Sequence, residues 1–207
     1  GYYEYGDMSI TVGEKKIATA EEFLAIGDSA AALKKQYVLT EDLDFGTVGS
    51  ADFVVKGTFS GGLKGNGHTI TGLDGVLFEK INGGSVSDLT IEGTRLTRNT
   101  QKGALANEIR NAEVQDIKIK DLVIENNADQ TGGLAGIISG STVKRIAVEN
   151  ISARSSNTIG GVAGQFDGRI LEDCIVTGSL EGTIRHQMGT RIGGITGWMG
   201  GGTMKKC

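Results

Sequence analysis

The residues that could do chemistry in this chain are a tight acidic cluster, two histidines and two cysteines. Glu41, Asp42 and Asp44 follow Thr40. Carboxylates at this spacing can hold calcium or form the acid–base pair that cleaves a glycosidic bond, and on a strand they can equally face water. His68 closes the stretch Gly65-Asn66-Gly67-His68. It either contacts a ligand or opens a strand after a tight turn in which Asn and Gly supply positive φ. Cys174 and Cys207 are too few for a disulfide scaffold and lack zinc-finger spacing. The two could pair, and Cys174 stands where equivalent positions carry Ile or Leu, which fits a small apolar packing residue. No H-E-x-x-H, no G-x-S-x-G and no phosphate-binding glycine loop occurs. The reading is of a chain that binds or displays and does not catalyse, with no cofactor of its own.

Basic residues gather in two loops. Thr94 to Lys102 carries Arg95, Arg98 and Lys102, and Thr183 to Arg191 carries Arg185, His186 and Arg191. The second stretch lengthens the repeat described below, and a loop that departs from a repeat is free to project from one face. These six residues are the candidate partner-binding positions; a plain surface loop is the other reading.

The elements that must position such loops are set by an internal repeat. Gly103-Ala104-Leu105-Ala106-Asn107 returns as Gly132-Gly133-Leu134-Ala135-Gly136, Gly160-Gly161-Val162-Ala163-Gly164 and Gly193-Gly194-Ile195-Thr196-Gly197, with a looser form at Gly75-Val76-Leu77-Phe78-Glu79. Leu77, Leu105, Leu134, Val162 and Ile195 are spaced by 28, 29, 28 and 33 positions. A second motif, apolar-x-x-apolar-x-apolar, runs in phase as Val86 to Ile91, Val114 to Ile119, Val143 to Val148 and Leu171 to Val176. A third apolar run appears as Leu122-Val123-Ile124 and Ile151-Ser152-Ala153. Met204-Lys205-Lys206-Cys207 matches the start of the second motif, so the chain is expected to be a fragment ending in mid-turn.

Short alternating runs separated by Gly, Asn, Asp or Ser are strands. Three short strands cannot close a core alone, and stacking of like units buries a continuous one. A propeller blade needs about 40 residues in four longer antiparallel strands, so the period favours a coil. The expected fold is all-β, a right-handed parallel β-helix of about 28 residues per turn. Its columns would be Leu89, Ile117, Ile146 and Cys174 on one side and the Leu77-to-Ile195 series on another. Asp88, Asp116 and Asp173 recur in one column that Arg145 interrupts, read as a solvated outer face. Asn126, Asn127, Asn150 and Asn157 are expected at coil corners, where amides satisfy backbone groups.

The start of the chain differs. Thr19-Ala20-Glu21-Glu22 is a capping box, Phe23, Leu24 and Ile26 supply an apolar face, and Gly27 can end the helix. A second helical stretch is possible from Ser29 to Lys35. Residues 19–35 are expected to cap the open end, with Met8 to Val12 as an added strand or arm. Tyr37-Val38-Leu39, Phe53-Val54-Val55 and His68-Thr69-Ile70 are expected early strands. The domain division is then 1–36 for arm and capping helix and 37–207 for the β-helix.

Composition agrees. Thirty-four glycines and no proline among 207 residues point to many tight turns, not to a linker or collagen. Net charge −4 argues against a duplex nucleic-acid binder, and no apolar run approaches a membrane span. No n-region followed by an apolar h-region occurs, so no signal peptide is expected within this fragment.

The stretch Gly57 to Ile70, the later Leu77-Phe78 and the recurring G-G-[LVI]-[AT]-G resemble GLUG-type repeats of bacterial surface proteins. Gly103 to Asn107 together with Tyr37 to Asp44 resembles the non-catalytic region that precedes the protease domain of streptococcal zinc metalloproteases, the immunoglobulin A1 protease family. The likeness spans residues 17–207. It implies a secreted, Gram-positive wall-attached virulence factor whose zinc lies in a separate catalytic domain. None of the family's zinc ligands has a counterpart here. Implied partners are that protease domain and a host glycoprotein, the immunoglobulin A1 heavy chain. An adhesin-type surface β-helix and a glycan-active β-helix enzyme are the alternatives.

Overall fold

A computed structural model describes residues 13–49, 51–183 and 189–207. The expected arm at Met8 to Val12 lies outside these. The described chain is nearly all-β, with one short α-helix at Ala20–Leu24. Every strand pairing in it is parallel.

The pairing register is the sequence repeat. Val86 pairs with Val114, Val114 with Val143, Val143 with Leu171 and Leu171 with Met204, which are the 28, 29, 28 and 33 steps read from the motifs. Beside this first ladder runs a second, Phe53–Phe59, Val76–Asn82, Ala106–Arg110, Ala135–Ser139 and the start of Ala163–Thr183. A third joins Arg95–Leu96, Val123–Glu125 and the far halves of Thr142–Ser156 and Ala163–Thr183. A short fourth joins Thr131–Gly132, Thr158–Gly160 and Arg191–Gly193. Successive repeats contribute successive strands to each ladder they enter, so equivalent side chains stack.

The stacks are the core. Leu89, Ile117, Ile146 and Cys174 are all buried, as are Leu77, Leu105, Leu134 and Val162. The latter series is tied strand to strand: Leu77 N–H donates to Ala104 O at 3.1 Å, Leu105 to Leu134 at 3.0 Å, Leu134 to Val162 at 2.9 Å and Val162 to Ile195 at 2.8 Å. Glycine directly precedes Leu134 and Val162 because the next repeat leaves no room. A Cβ on Gly133 would sit 2.3 Å from Gly161 O, and one on Gly161 would sit 2.1 Å from Gly194 O.

The motif apolar-x-x-apolar-x-apolar poses a geometric problem. A regular strand alternates faces, so two residues between inward positions would turn the second outward. One residue must leave the extended region. Asp88, Asp116, Arg145 and Asp173 do so, with φ of 55°, 56°, 53° and 54°. Asp tolerates this left-handed conformation better than most side chains. The recurring aspartates are thus explained by backbone geometry as well as by their exposure. Corners use the same conformation, at Gly93, Asp121 and Asn150 and again at Gly83, Asn111 and Gly140.

At the N-terminal end Glu14–Ile17 pairs with Gln36–Leu39. The helix between them is capped as the sequence predicts: Thr19 Oγ1 accepts from Glu22 N–H at 3.2 Å. Glu22 reaches back to Ala18 N–H at 2.7 Å, one residue earlier than a standard capping box. The α-helix stops at Leu24 and continues as a 3₁₀ turn, Ala25–Gly27. Of the second helical stretch only a 3₁₀ turn forms, Ala32–Lys34, with Ser29 Oγ accepting from Ala32 N–H. Phe23 is buried and packs edge-on to Phe45 at 5.7 Å and against Phe78 at 5.9 Å, and Phe78 stacks on Phe59 at 4.7 Å. The early strands form at Gln36–Leu39, Phe53–Phe59 and Thr69–Thr71.

Substitution at Asp116 separates conformation from charge. Asp116→Val should cost about 1–2 kcal/mol for a β-branched residue held left-handed. Asp116→Asn keeps the tolerated conformation and should cost at most about 1 kcal/mol, for a lost surface pair. Urea unfolding measures both, and equal losses would contradict the assignment.

Candidate interaction surface

The corner after the third ladder is built on a buried amide. Asn126 Nδ2 donates to Arg98 O at 3.1 Å and Gln101 O at 2.8 Å. Its Oδ1 accepts from Ala128 N–H at 3.1 Å and Ser155 Oγ at 2.8 Å. One side chain therefore ties together the corners of three successive repeats. Gln101, fully buried, extends the chain of bonds by donating to Asp74 O at 3.2 Å and accepting from Arg98 N–H at 2.9 Å. The amides of the other predicted asparagines bond side chains and not the expected backbone groups, Asn127 Oδ1 accepting from Thr183 Oγ1 at 3.4 Å. Asn127 N–H donates to Asn99 Oδ1 at 2.8 Å. Asn150 and Asn157 have φ of 57° and 65° and donate to Asp121 and Asp129. The sequence reading missed Gln101, whose signal is a polar residue in the turn just ahead of the buried Gly-Ala-Leu run.

Around this corner stand the predicted basic residues. Arg95 faces Glu125 at 3.7 Å. Arg98 is paired with Asp52 at 2.8 Å, and Thr100 donates to the other Asp52 oxygen at 3.1 Å. Lys102 is fixed through its backbone, its N–H donating to Asn107 Oδ1 and its carbonyl accepting from Gly132 N–H. Arg191 opens the last strand of the fourth ladder and donates its N–H to Asn157 O at 2.6 Å. Arg185 and His186 lie outside the described residues. Lys102 and Arg191 share one corner but stand three strand spacings apart, about 14 Å at ~4.8 Å per strand.

The third ladder carries a column of alternating charge that the sequence reading did not single out. Glu125 is in register with Arg154 and Arg154 with Glu181. With the Arg95–Glu125 and Arg154–Glu181 pairs at 3.7 and 3.2 Å, it edges a shallow groove over Val123, Ser152 and Ser179. Its signal is charge of opposite sign at repeat spacing. Exposed pairs of this kind add little stability, about 0–1 kcal/mol each, so they define a surface more than they hold the fold. The aspartate column behaves alike. Arg145 makes a two-pronged bond to Asp116, at 2.6 and 2.9 Å, which holds the Asp116 carboxyl below its usual range.

The acidic cluster is used locally. Asp42 Oδ1 accepts from Thr69 N–H at 2.8 Å and lies 3.2 Å from His68 Nδ1. The Thr69 N–H, then His68, keep Asp42 below the ordinary carboxylate range, opposite to the raised value a general acid needs. Asp44 Oδ1 accepts from Gly46 N–H at 2.8 Å. His68 follows a tight turn with Asn66 and Gly67 at positive φ, as the ordinary reading of that motif has it. Among the described residues no group of three or more His, Cys, Asp or Glu is arranged to hold a metal ion.

Large exposed apolar side chains cluster toward the last repeat: Ile175, Ile192, Trp198 and Met199. Ile192 and Met199 are in register with the buried Ile159 and Phe166. They belong to the core stack and lack the next layer among the described residues.

Removing the amide of Asn126 strands the Gln101 carbonyl and the Ala128 N–H. Asn126→Ala should destabilise by about 1–3 kcal/mol, while Asn127→Ala should stay within about 0.5 kcal/mol. Thermal unfolding distinguishes them, and a neutral Asn126→Ala would contradict the hub.

Residues 26–121 match the family model described as "M26 IgA1-specific Metallo-endopeptidase N-terminal region". The chain is 28% identical over 130 residues to the immunoglobulin A1 protease of Streptococcus sanguinis, covering 57% of this chain and 7% of that protein. It is 28% identical over 127 residues to the immunoglobulin A1 protease of Streptococcus pneumoniae, covering 56% and 6%. The zinc metalloprotease ZmpC of S. pneumoniae serotype 4 is 26% identical over 243 aligned positions, covering 94% of this chain and 13% of that protein. The chain thus spans a small fraction of the length of the curated relatives it matches. No solved structure matches it. The resemblance expected from Tyr37 to Asp44 and Gly103 to Asn107 is met: this chain is similar to the N-terminal region of streptococcal immunoglobulin A1 proteases and of a streptococcal zinc metalloprotease.

Proposed function

We propose that this chain is a right-handed parallel β-helix serving as the non-catalytic recognition or spacer region of a secreted, wall-attached zinc metalloprotease. One observation carries the reading: an all-parallel register equal to the sequence repeat, within a region similar to the N-terminal part of metalloproteases. The handedness rests on the strong preference of parallel crossovers for the right-handed sense. The proposed domain boundary falls between residues 36 and 37, with the capping helix before it and the coil after it, and Phe23 plugs the first layers. The zinc ion and the chemistry belong to a separate domain of the parent, which is one partner. The other is the substrate, a host glycoprotein of the immunoglobulin A1 type, recognised through its heavy chain.

The recognition surface is the loop-bearing corner with Arg95, Arg98, Lys102 and Arg191; Arg185 and His186, proposed as further partner-binding positions, lie outside the described residues. Backbone-fixed Lys102 and Arg191 present charge at two heights along it. Arg95 and Arg98 reach it already paired with acids, so they add shape and hydrogen bonding more than net charge.

Binding of the chain to immobilised immunoglobulin A1 heavy chain tests the proposal. Saturable binding is expected, weakening as salt rises and falling at least about tenfold in the double variant Lys102→Glu/Arg191→Glu, equivalent to ~1.4 kcal/mol. Absence of binding, together with full cleavage by a parent lacking this region, would reduce the module to a spacer and end the recognition reading.

A further inference from the structure

The column Leu89, Ile117, Ile146 and Cys174 continues past its last buried member. The final pairing matches Leu171 with Met204 and Glu172 with Lys205, so the same register sets Cys174 opposite Cys207. Backbone bonding extends that far, since Cys174 N–H donates to Lys206 O at 3.2 Å. Lys206, with φ of 50°, repeats the left-handed step that Asp173 makes with 54°. Cys207 therefore leaves the strand from the same bulge as Cys174 and on the same side. The two sulfurs reach adjacent carbonyls of one strand, Cys207 Sγ lying 3.6 Å from Leu171 O and Cys174 Sγ 3.7 Å from Glu172 O.

We propose that Cys174 and Cys207 are a disulfide site that clamps the last repeat onto the one before it. Neighbouring strands stand about 4.8 Å apart, inside the ~4.4–6.8 Å that a disulfide requires between Cα atoms. Both thiols are reduced in this structure. Their positions set the order of oxidation by a low-molecular-weight disulfide such as glutathione disulfide. Cys207 is exposed, and as the thiolate it attacks one sulfur of the oxidant, forming a mixed disulfide and releasing one glutathione thiolate. Cys174 is buried, and burial, with Cys207 beside it, raises its thiol well above the usual range. It reacts second, giving its proton to solvent and displacing the other glutathione from Cys207. Two protein thiols and one glutathione disulfide become one protein disulfide and two glutathiones.

The closed loop spans the long 33-residue step, whose pairing with the preceding repeat carries two register shifts. It also includes the strand of Trp198 and Met199, which have no further layer over them among the described residues. A covalent tie across that loop lowers the entropy of the unfolded chain and so favours the paired state.

The test is to equilibrate the purified full chain with glutathione disulfide and map its peptides without reduction. The expected product is a monomer lighter by two hydrogen atoms, with a Cys174–Cys207 cross-link and slower hydrogen exchange over Thr196–Lys205. Cys207→Ser should abolish both changes and leave the reduced chain's exchange pattern intact. Two free thiols at equilibrium, a glutathione adduct held at Cys207 alone, or a dimer linked through Cys207 would each overturn the proposal. Failure here leaves the recognition proposal untouched, since no heavy-chain binding enters the readout.

Discussion

The structure depends on backbone hydrogen bonds that run from each repeat to the next at a constant step. Within the strands, the N–H and C=O groups of a repeat bond to the repeats on either side, and bonds inside one repeat are confined to turns such as His68 N–H to Gly65 O. Those bonds fix the register, and the register stacks like residues on like. Everything apolar then follows: a leucine is buried because a leucine, valine or isoleucine lies above and below it. The glycines ahead of these columns follow too, since a side chain at Gly133 or Gly161 would collide with the carbonyl of the next repeat.

Order of this kind leaves polar groups at every corner, and the chain resolves them in three ways. Left-handed residues turn the backbone without extra length. Asn126 bonds three corners at once. Charges on the outer faces are matched between layers, as Arg145 is to Asp116 and Arg154 to Glu181. A surface so matched presents a pattern of charge with little net field, which suits selective contact over long-range attraction.

Most of the architecture was legible in the residues. The motif spacings are the strand register, because in a stacked fold sequence period and spatial neighbour are one quantity. The capping box was legible because it is local. What could not be read lies in contacts distant in sequence or in backbone angle. The mate of Arg98 is Asp52, outside any repeat relation, so a loop that looks basic is partly neutralised. The aspartate column looked like a solvated face, and its left-handed backbone hides behind an ordinary-looking x-x spacing. A second helix from Ser29 to Lys35 shrank to a single 3₁₀ turn, since Leu33 O and Lys35 O accept hydrogen bonds from Ser60, Gly61 and Gly62.

The long step has a sharply bounded location. Ser156 pairs with Thr183, 27 positions on, and Thr158 pairs with Arg191, 33 positions on. The whole excess is absorbed between Thr183 and Arg191, and the ladders on both sides keep their alignment. The chain can thus grow or shrink in loops without a change of scaffold, whereas one residue added inside a strand would turn every later side chain of that strand inside out. Diversification of such a protein, by natural drift or by grafting of foreign peptides, is confined to its corners. Relatives with very different exposed loops can then share one unaltered interior.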